Sequence, residues 1–251
     1  MLKYKRSGNG PAVLLIHGFF GGPNYWLPLF NHLTPNFDVI APTLPGFADS
    51  KIDQPLDNID AFTECLVNFM VSLGVERYSV VGHSMGGFMA QKMAVDYSDR
   101  LERLVIYGSA SRSNKKFRFE SPEVTQKRLQ EGDLDGVAED TTAAWFVEGR
   151  ESPHFDFCLQ CGKGITANVA LAAAKAASTF NFGEQIALIN LPTLVIGGDQ
   201  ERSFEPEAMF DLASKITDAA FCMIPGTSHC AHLEKPEIFN QIVAEFLLEG
   251  R

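Results

Sequence analysis

Among the side chains here that can do covalent chemistry, Ser84 stands in the most constrained setting. It is fenced by Gly82 and Gly86 in residues 80–88, VVGHSMGGF. A serine hydroxyl attacks a carbonyl efficiently only when a base takes its proton and a carboxylate orients that base. Gly-x-Ser-x-Gly fits a chain that turns sharply from strand to helix and lifts the hydroxyl above a sheet. Bulkier residues at 82 and 86 would collide with the neighbouring strand and helix. Ser84 is therefore the expected nucleophile.

The base must come from one of six histidines. His83 adjoins the serine, but its ring is expected to point elsewhere. His17 ends the first long strand pattern and is expected to shape a loop, whereas His32 sits at a polar helix end and His154 in an irregular stretch. His229 and His232 remain, both in residues 224–239, IPGTSHCAHLEKPEIF, after the last strand pattern and before the last helix pattern. His229 is preferred because it lies closer to the strand end, and Gly226 permits a tight loop that turns the ring inward. Residues 195–206, VIGGDQERSFEP, offer three acids after another buried strand: Asp199, Glu201 and Glu205. The residues alone leave that choice open.

A tetrahedral oxyanion needs backbone N–H donors, each worth roughly 3 kcal/mol of barrier. One is expected from Met85, the residue after the nucleophile. The other is expected from Phe19 in residues 17–22, HGFFGG, where glycines let the chain curl after a strand.

These groups need a scaffold that brings distant segments to one edge. Apolar, β-branched runs recur at 12–18, 37–42, 78–83, 101–109, 192–198 and 219–226, with helical periodicity between them at 59–73, 84–97, 207–216 and 236–248. Strands buried on both faces and alternating with helices mean an α/β fold with a mainly parallel, doubly wound sheet. Ligands then sit at the carboxyl ends of the strands. The alternation breaks over 111–189, which reads as a helical cap inserted between two late strands, with 1–110 and 190–251 forming the core. Trp145, Phe146 and Phe155 from that insertion, with Tyr25 and Trp26 from the loop after the first long strand, are candidate walls for an apolar substrate.

Composition removes several function classes. The chain has 251 residues, is 45% hydrophobic and carries a net charge of -10, so it repels polyphosphates and is not expected to bind nucleic acid. No apolar run approaches the ~20 residues of a membrane span, and the N-terminal residues lack a signal-peptide pattern, so a cytoplasmic location is expected. The five cysteines are scattered and odd in number. They read as reduced, and Cys158 and Cys161 lack the partners that would complete a zinc site.

Taken together, the motifs resemble the α/β-hydrolase superfamily. LLIHGFFGGPNYW is similar to its oxyanion loop, VIAPTLPGFADS to its second turn motif, VVGHSMGG to its nucleophile turn, PTLVIGGDQE to its acid strand and IPGTSHCAHLEKPEIF to its histidine loop. The resemblance implies an acid three residues after the glycine that closes its strand, which from Gly198 is Glu201, with Asp199 as the alternative. It is strongest toward small bacterial esterases and enol-lactone hydrolases of the 3-oxoadipate type. It implies a serine hydrolase acting on a small-molecule carboxylic ester or lactone, without metal or cofactor, as a monomer or homodimer. Carbon-carbon hydrolases of ring-cleavage products typically carry a tryptophan where Cys230 stands, and menaquinone-pathway synthases an arginine where Phe88 stands. These two, with slow-turnover ligand receptors on the same fold, are the alternative readings.

Overall fold

The computed structural model describes residues 2–48, 50–113 and 119–249. Asp49 of the second turn motif, residues 114–118 of the expected insertion, and the terminal positions 1, 250 and 251 lie outside the described residues.

Among the described residues, seven strands form one sheet: β1 (Tyr4–Ser7), β2 (Ala12–Ile16), β3 (Asp38–Pro42), β4 (Tyr78–His83), β5 (Leu101–Tyr107), β6 (Thr193–Gly198) and β7 (Ala219–Ile224), in the spatial order β1-β3-β2-β4-β5-β6-β7. All neighbours are parallel except β1, which pairs antiparallel with β3. The central strands are mostly apolar because helices cover both faces, and β2, β4 and β6 are buried at every position. No apolar periodicity marks β1. Its sequence, Tyr-Lys-Arg-Ser, is polar and largely exposed, as suits an edge strand.

Ten α-helices of the described residues surround or cap the sheet: α1 (Leu27–Leu33), α2 (Ile59–Ser72), α3 (Met85–Asp96), α4 (Pro122–Gln130), α5 (Leu134–Ala144), α6 (Phe155–Cys161), α7 (Ala167–Thr179), α8 (Pro206–Ser214), α9 (Ala231–Glu234) and α10 (Pro236–Leu248). The pairs α2–α3 and α1–α10 pack together. Helices α4 to α7 all lie between β5 and β6, where the strand–helix alternation lapses in the sequence. Since β2, β4, β6 and β7 run the same way, the loops after them meet at one edge of the sheet. Those loops carry Phe19, Ser84, Glu201 and His229. No helix among the described residues is long and apolar enough to cross a membrane.

Candidate active site

Ser84 lies between the end of β4 and the start of α3 with φ 56° and ψ −119°, a backbone state costing about 1–3 kcal/mol that persists only where the surroundings enforce it. They do so here. A Cβ on Gly82 would lie 2.4 Å from the carbonyl oxygen of Gly86, and one on Gly86 would lie 2.4 Å from the carbonyl oxygen of Ile16 at the end of β2. The Ser84 N–H donates to the Tyr107 carbonyl on β5 at 2.9 Å, pinning the turn to its neighbour. Met85 opens α3, so its N–H has no partner within the helix. Phe19 and Met85 line the same cavity as Ser84.

His229 lies in the loop after β7 and lines that cavity beside Ser84. Its Nδ1 is 2.8 Å from both carboxylate oxygens of Glu201, and both side chains are almost wholly buried. Burial pushes the Glu201 carboxyl well above the usual carboxylate range. The backbone N–H groups of Arg202, Phe204 and Ser203 oppose that shift by donating to it. Asp199 does something else: its Oδ1 accepts the Gly226 N–H at 2.6 Å, which ties down the turn leading to the histidine. His232 is directed away from the cavity, with Nδ1 2.9 Å from the Tyr107 hydroxyl and Nε2 3.1 Å from the Tyr25 carbonyl.

Three further histidines lie beneath these groups, each buried and neutral. His17 Nδ1 is 2.9 Å from the Gly18 carbonyl and its Nε2 accepts the Leu44 N–H at 2.9 Å, so the proton sits on Nδ1. Burial lowers its pKa to about 4. Burial likewise holds His83 and His232 well below the ordinary histidine range. The nearby His229 adds to the shift of His83, and His83 to that of His232.

The cavity above Ser84 encloses about 630 Å³ of open space including its mouth, but water centres can occupy only about 40 Å³ of it, room for a few waters. Its apolar walls are Phe19, Phe88, Phe119, Trp145 and Phe204, with Ser113, Thr125, Thr141 and Ser203 as polar points. Among the described residues that line it, none carries a positive charge. No group of three or more possible metal ligands exists among the described residues.

The expected walls need correction. Trp145 does line the cavity. Tyr25 and Trp26 do not: they are 1% and 0% exposed, packed under the turn against His83 and His232, where the Tyr25 hydroxyl is spent on hydrogen bonds within the core. Phe146 packs on His154, and Phe155 lies beneath the Arg150 guanidinium, so neither reaches the cavity. Sequence reasoning passed over Phe88 and Phe204. Phe88 is one helical turn after Ser84 and therefore shares its face of α3; Phe204 follows Glu201 by three and stacks on the His229 ring at 6.2 Å. Helical spacing from the nucleophile could have found the first, but nothing in the pattern marks the second.

A family model described as alpha/beta hydrolase fold matches residues 11–236. A Comamonas testosteroni protein named 2-hydroxy-6-oxononadienedioate/2-hydroxy-6-oxononatrienedioate hydrolase is 26% identical, over 97% of this chain and 90% of its own length. The crystal structure of an enol-lactonase from Burkholderia xenovorans LB400 superposes with a TM-score of 0.91 at 21% identity, covering 99% of this chain and 96% of that one. A thermophilic esterase from Thermogutta terrifontis superposes with a TM-score of 0.88 at 26% identity, covering 98% and 92%.

Proposed function

We propose that this chain, which belongs to the α/β-hydrolase family, is a serine hydrolase that cleaves a small carboxylic ester or lactone through an acyl-enzyme. The observation that carries this reading is the buried His229–Glu201 pair, 2.8 Å apart, opening into the same cavity as a serine held at positive φ.

In this mechanism Ser84 Oγ attacks the substrate carbonyl while His229 Nε2 takes its proton. Glu201 accepts the Nδ1–H bond, keeps Nε2 free to act as base, and stabilises the imidazolium that forms. The N–H groups of Phe19 and Met85 receive the oxyanion. Collapse expels the alcohol, which His229 protonates; His229 then activates a water that releases the acid and restores Ser84. The buried acid suits this role because an exposed carboxylate would be screened and its hold on the ring weakened.

The narrow apolar cavity supports a short acyl group, because only a few waters' volume is free. The Comamonas relative favours a second reading, hydrolysis of an oxo-dienedioate. A p-nitrophenyl ester series from acetate to octanoate, run beside Ser84→Ala, tests the proposal. Turnover highest on acetate or butyrate and lost in the variant supports it; equal turnover in the variant rejects it.

A further inference from the structure

Two buried side chains that never touch the cavity connect the segments carrying the proposed nucleophile, base and oxyanion donor. The Gly18 N–H donates to the Tyr25 hydroxyl at 3.1 Å. That hydroxyl is 2.9 Å from His83 Nδ1, and His83 Nε2 is 2.9 Å from the carbonyl oxygen of His229. A carbonyl only accepts, so the His83 proton sits on Nε2 and Nδ1 accepts from Tyr25. The chain of donors is thereby directed from the oxyanion loop, through Tyr25 and His83, to the backbone of the proposed base. Its ends are informative: Gly18 directly precedes Phe19, whereas the accepting carbonyl belongs to His229 itself. The middle member, His83, directly precedes Ser84.

Resting on the serine-hydrolase reading, we propose that Tyr25 and His83 are positioning residues, a crossbrace that sets the spacing of Ser84, His229 and the Phe19 N–H from below. Three loops from three different strands have no backbone ladder beyond the sheet edge to fix that spacing. Side-chain bonds at their roots supply it. At the same end, His232 Nε2–H donates to the Tyr25 carbonyl at 3.1 Å, which leaves its Nδ1 to accept the Tyr107 hydroxyl proton at 2.9 Å, with the His229 carbonyl 2.8 Å from that hydroxyl. Both members of the brace are 1% exposed, so water cannot replace a lost bond.

The test removes one hydroxyl. Tyr25→Phe is expected to lower kcat by about tenfold with KM within about twofold, because a misplacement well under 1 Å reduces chemistry more than binding. Reaction of Ser84 with a fluorophosphonate should slow in parallel. Tyr78→Phe is the control, since it makes the same change to a buried phenol that has no hydrogen-bond partner among the described residues; its kcat should stay at wild type. His83→Gln keeps a donor within reach of the His229 carbonyl, whereas His83→Asn is too short, so the Gln variant should be several-fold faster than the Asn variant. That pair also serves if Tyr25→Phe does not fold. A Tyr25→Phe enzyme with unchanged kcat, equal losses in Tyr25→Phe and Tyr78→Phe, or equal rates for His83→Gln and His83→Asn would overturn the brace. Full activity in Ser84→Ala would instead overturn the hydrolase reading, independently of the brace.

Discussion

The floor beneath Ser84 and the roof above it are held together by different physics. The floor is a buried polar layer in which His17, His83, His232, Tyr25 and Tyr107 exchange hydrogen bonds with one another or with backbone groups. Losing one member orphans a buried partner, at about 1–3 kcal/mol. The roof, from α4 to α7, presents apolar side chains downward and is laced on its outside by ion pairs: Arg128 with Glu120, Asp133 and Asp140, and Arg150 with Glu139 and Asp140. Pairs of that kind contribute about 0–1 kcal/mol each. A hydrogen-bonded seam joins the two. The Cys230 N–H donates to the Trp145 carbonyl at 3.0 Å, and Glu234 accepts both the Val147 and the Ser228 N–H groups. On the proposed reading, the difference divides labour: the rigid floor sets reaction geometry, and the roof sets which acyl group fits.

That division should break most visibly at the floor-level acid. Glu201→Gln is expected to lower kcat by roughly 10³- to 10⁴-fold, since the amide no longer holds the required tautomer or stabilises the imidazolium. Asp199→Asn should change the rate by no more than a few-fold. Steady-state kinetics of the two variants side by side decides between them, and a collapse confined to Asp199→Asn would reverse the assignment.

The floor also makes folding sensitive to acid. His17, His83 and His232 have folded-state pKa values below 6.5, the first at about 4, so below pH 6.5 the unfolded chain binds protons that the native one refuses. Stability is therefore fully present above that pH and falls as pH drops toward 4. Each ring held neutral in the native state contributes to that fall. Urea unfolding at several pH values measures it; a flat profile between pH 6.5 and 5 would mean these rings are not held neutral.

The roof should tolerate change and answer with altered selectivity. Phe119 lines the cavity yet is 37% exposed, so Phe119→Ala is expected to raise the octanoate-to-acetate ratio of kcat/KM by about three- to tenfold while altering stability by less than about 1 kcal/mol. Smallest of all, Arg150→Ala on the outer surface should move Tm by no more than about 2–3 °C and leave kinetics unchanged. A loss of kcat without a change in selectivity at Phe119 would erase the distinction between floor and roof.

The sequence is readable where sterics admit few solutions. Gly82 and Gly86 reveal the Ser84 turn because only glycine tolerates those backbone approaches, and the alternating strand and helix patterns reveal the parallel sheet and the lapse between β5 and β6. The acid was harder: Asp199 and Glu201 are two residues apart on one loop, and only the way the chain turns there brings Glu201 and not Asp199 to the ring. Aromatic side chains were least legible. Tyr25 and Trp26 have the chemistry of pocket walls, but which way a loop side chain points depends on packing from segments hundreds of residues away, here α9 with its His232. The short polar β1 carries no periodicity to read at all.

The most direct test of the central claim is to quench the enzyme during turnover of p-nitrophenyl butyrate and weigh the peptide that contains residue 84. A butyryl group is expected on Ser84, accumulating faster in the wild type than in His229→Ala. Ester turnover with the acyl group on another residue, or with no covalent species and full activity in Ser84→Ala, would contradict it.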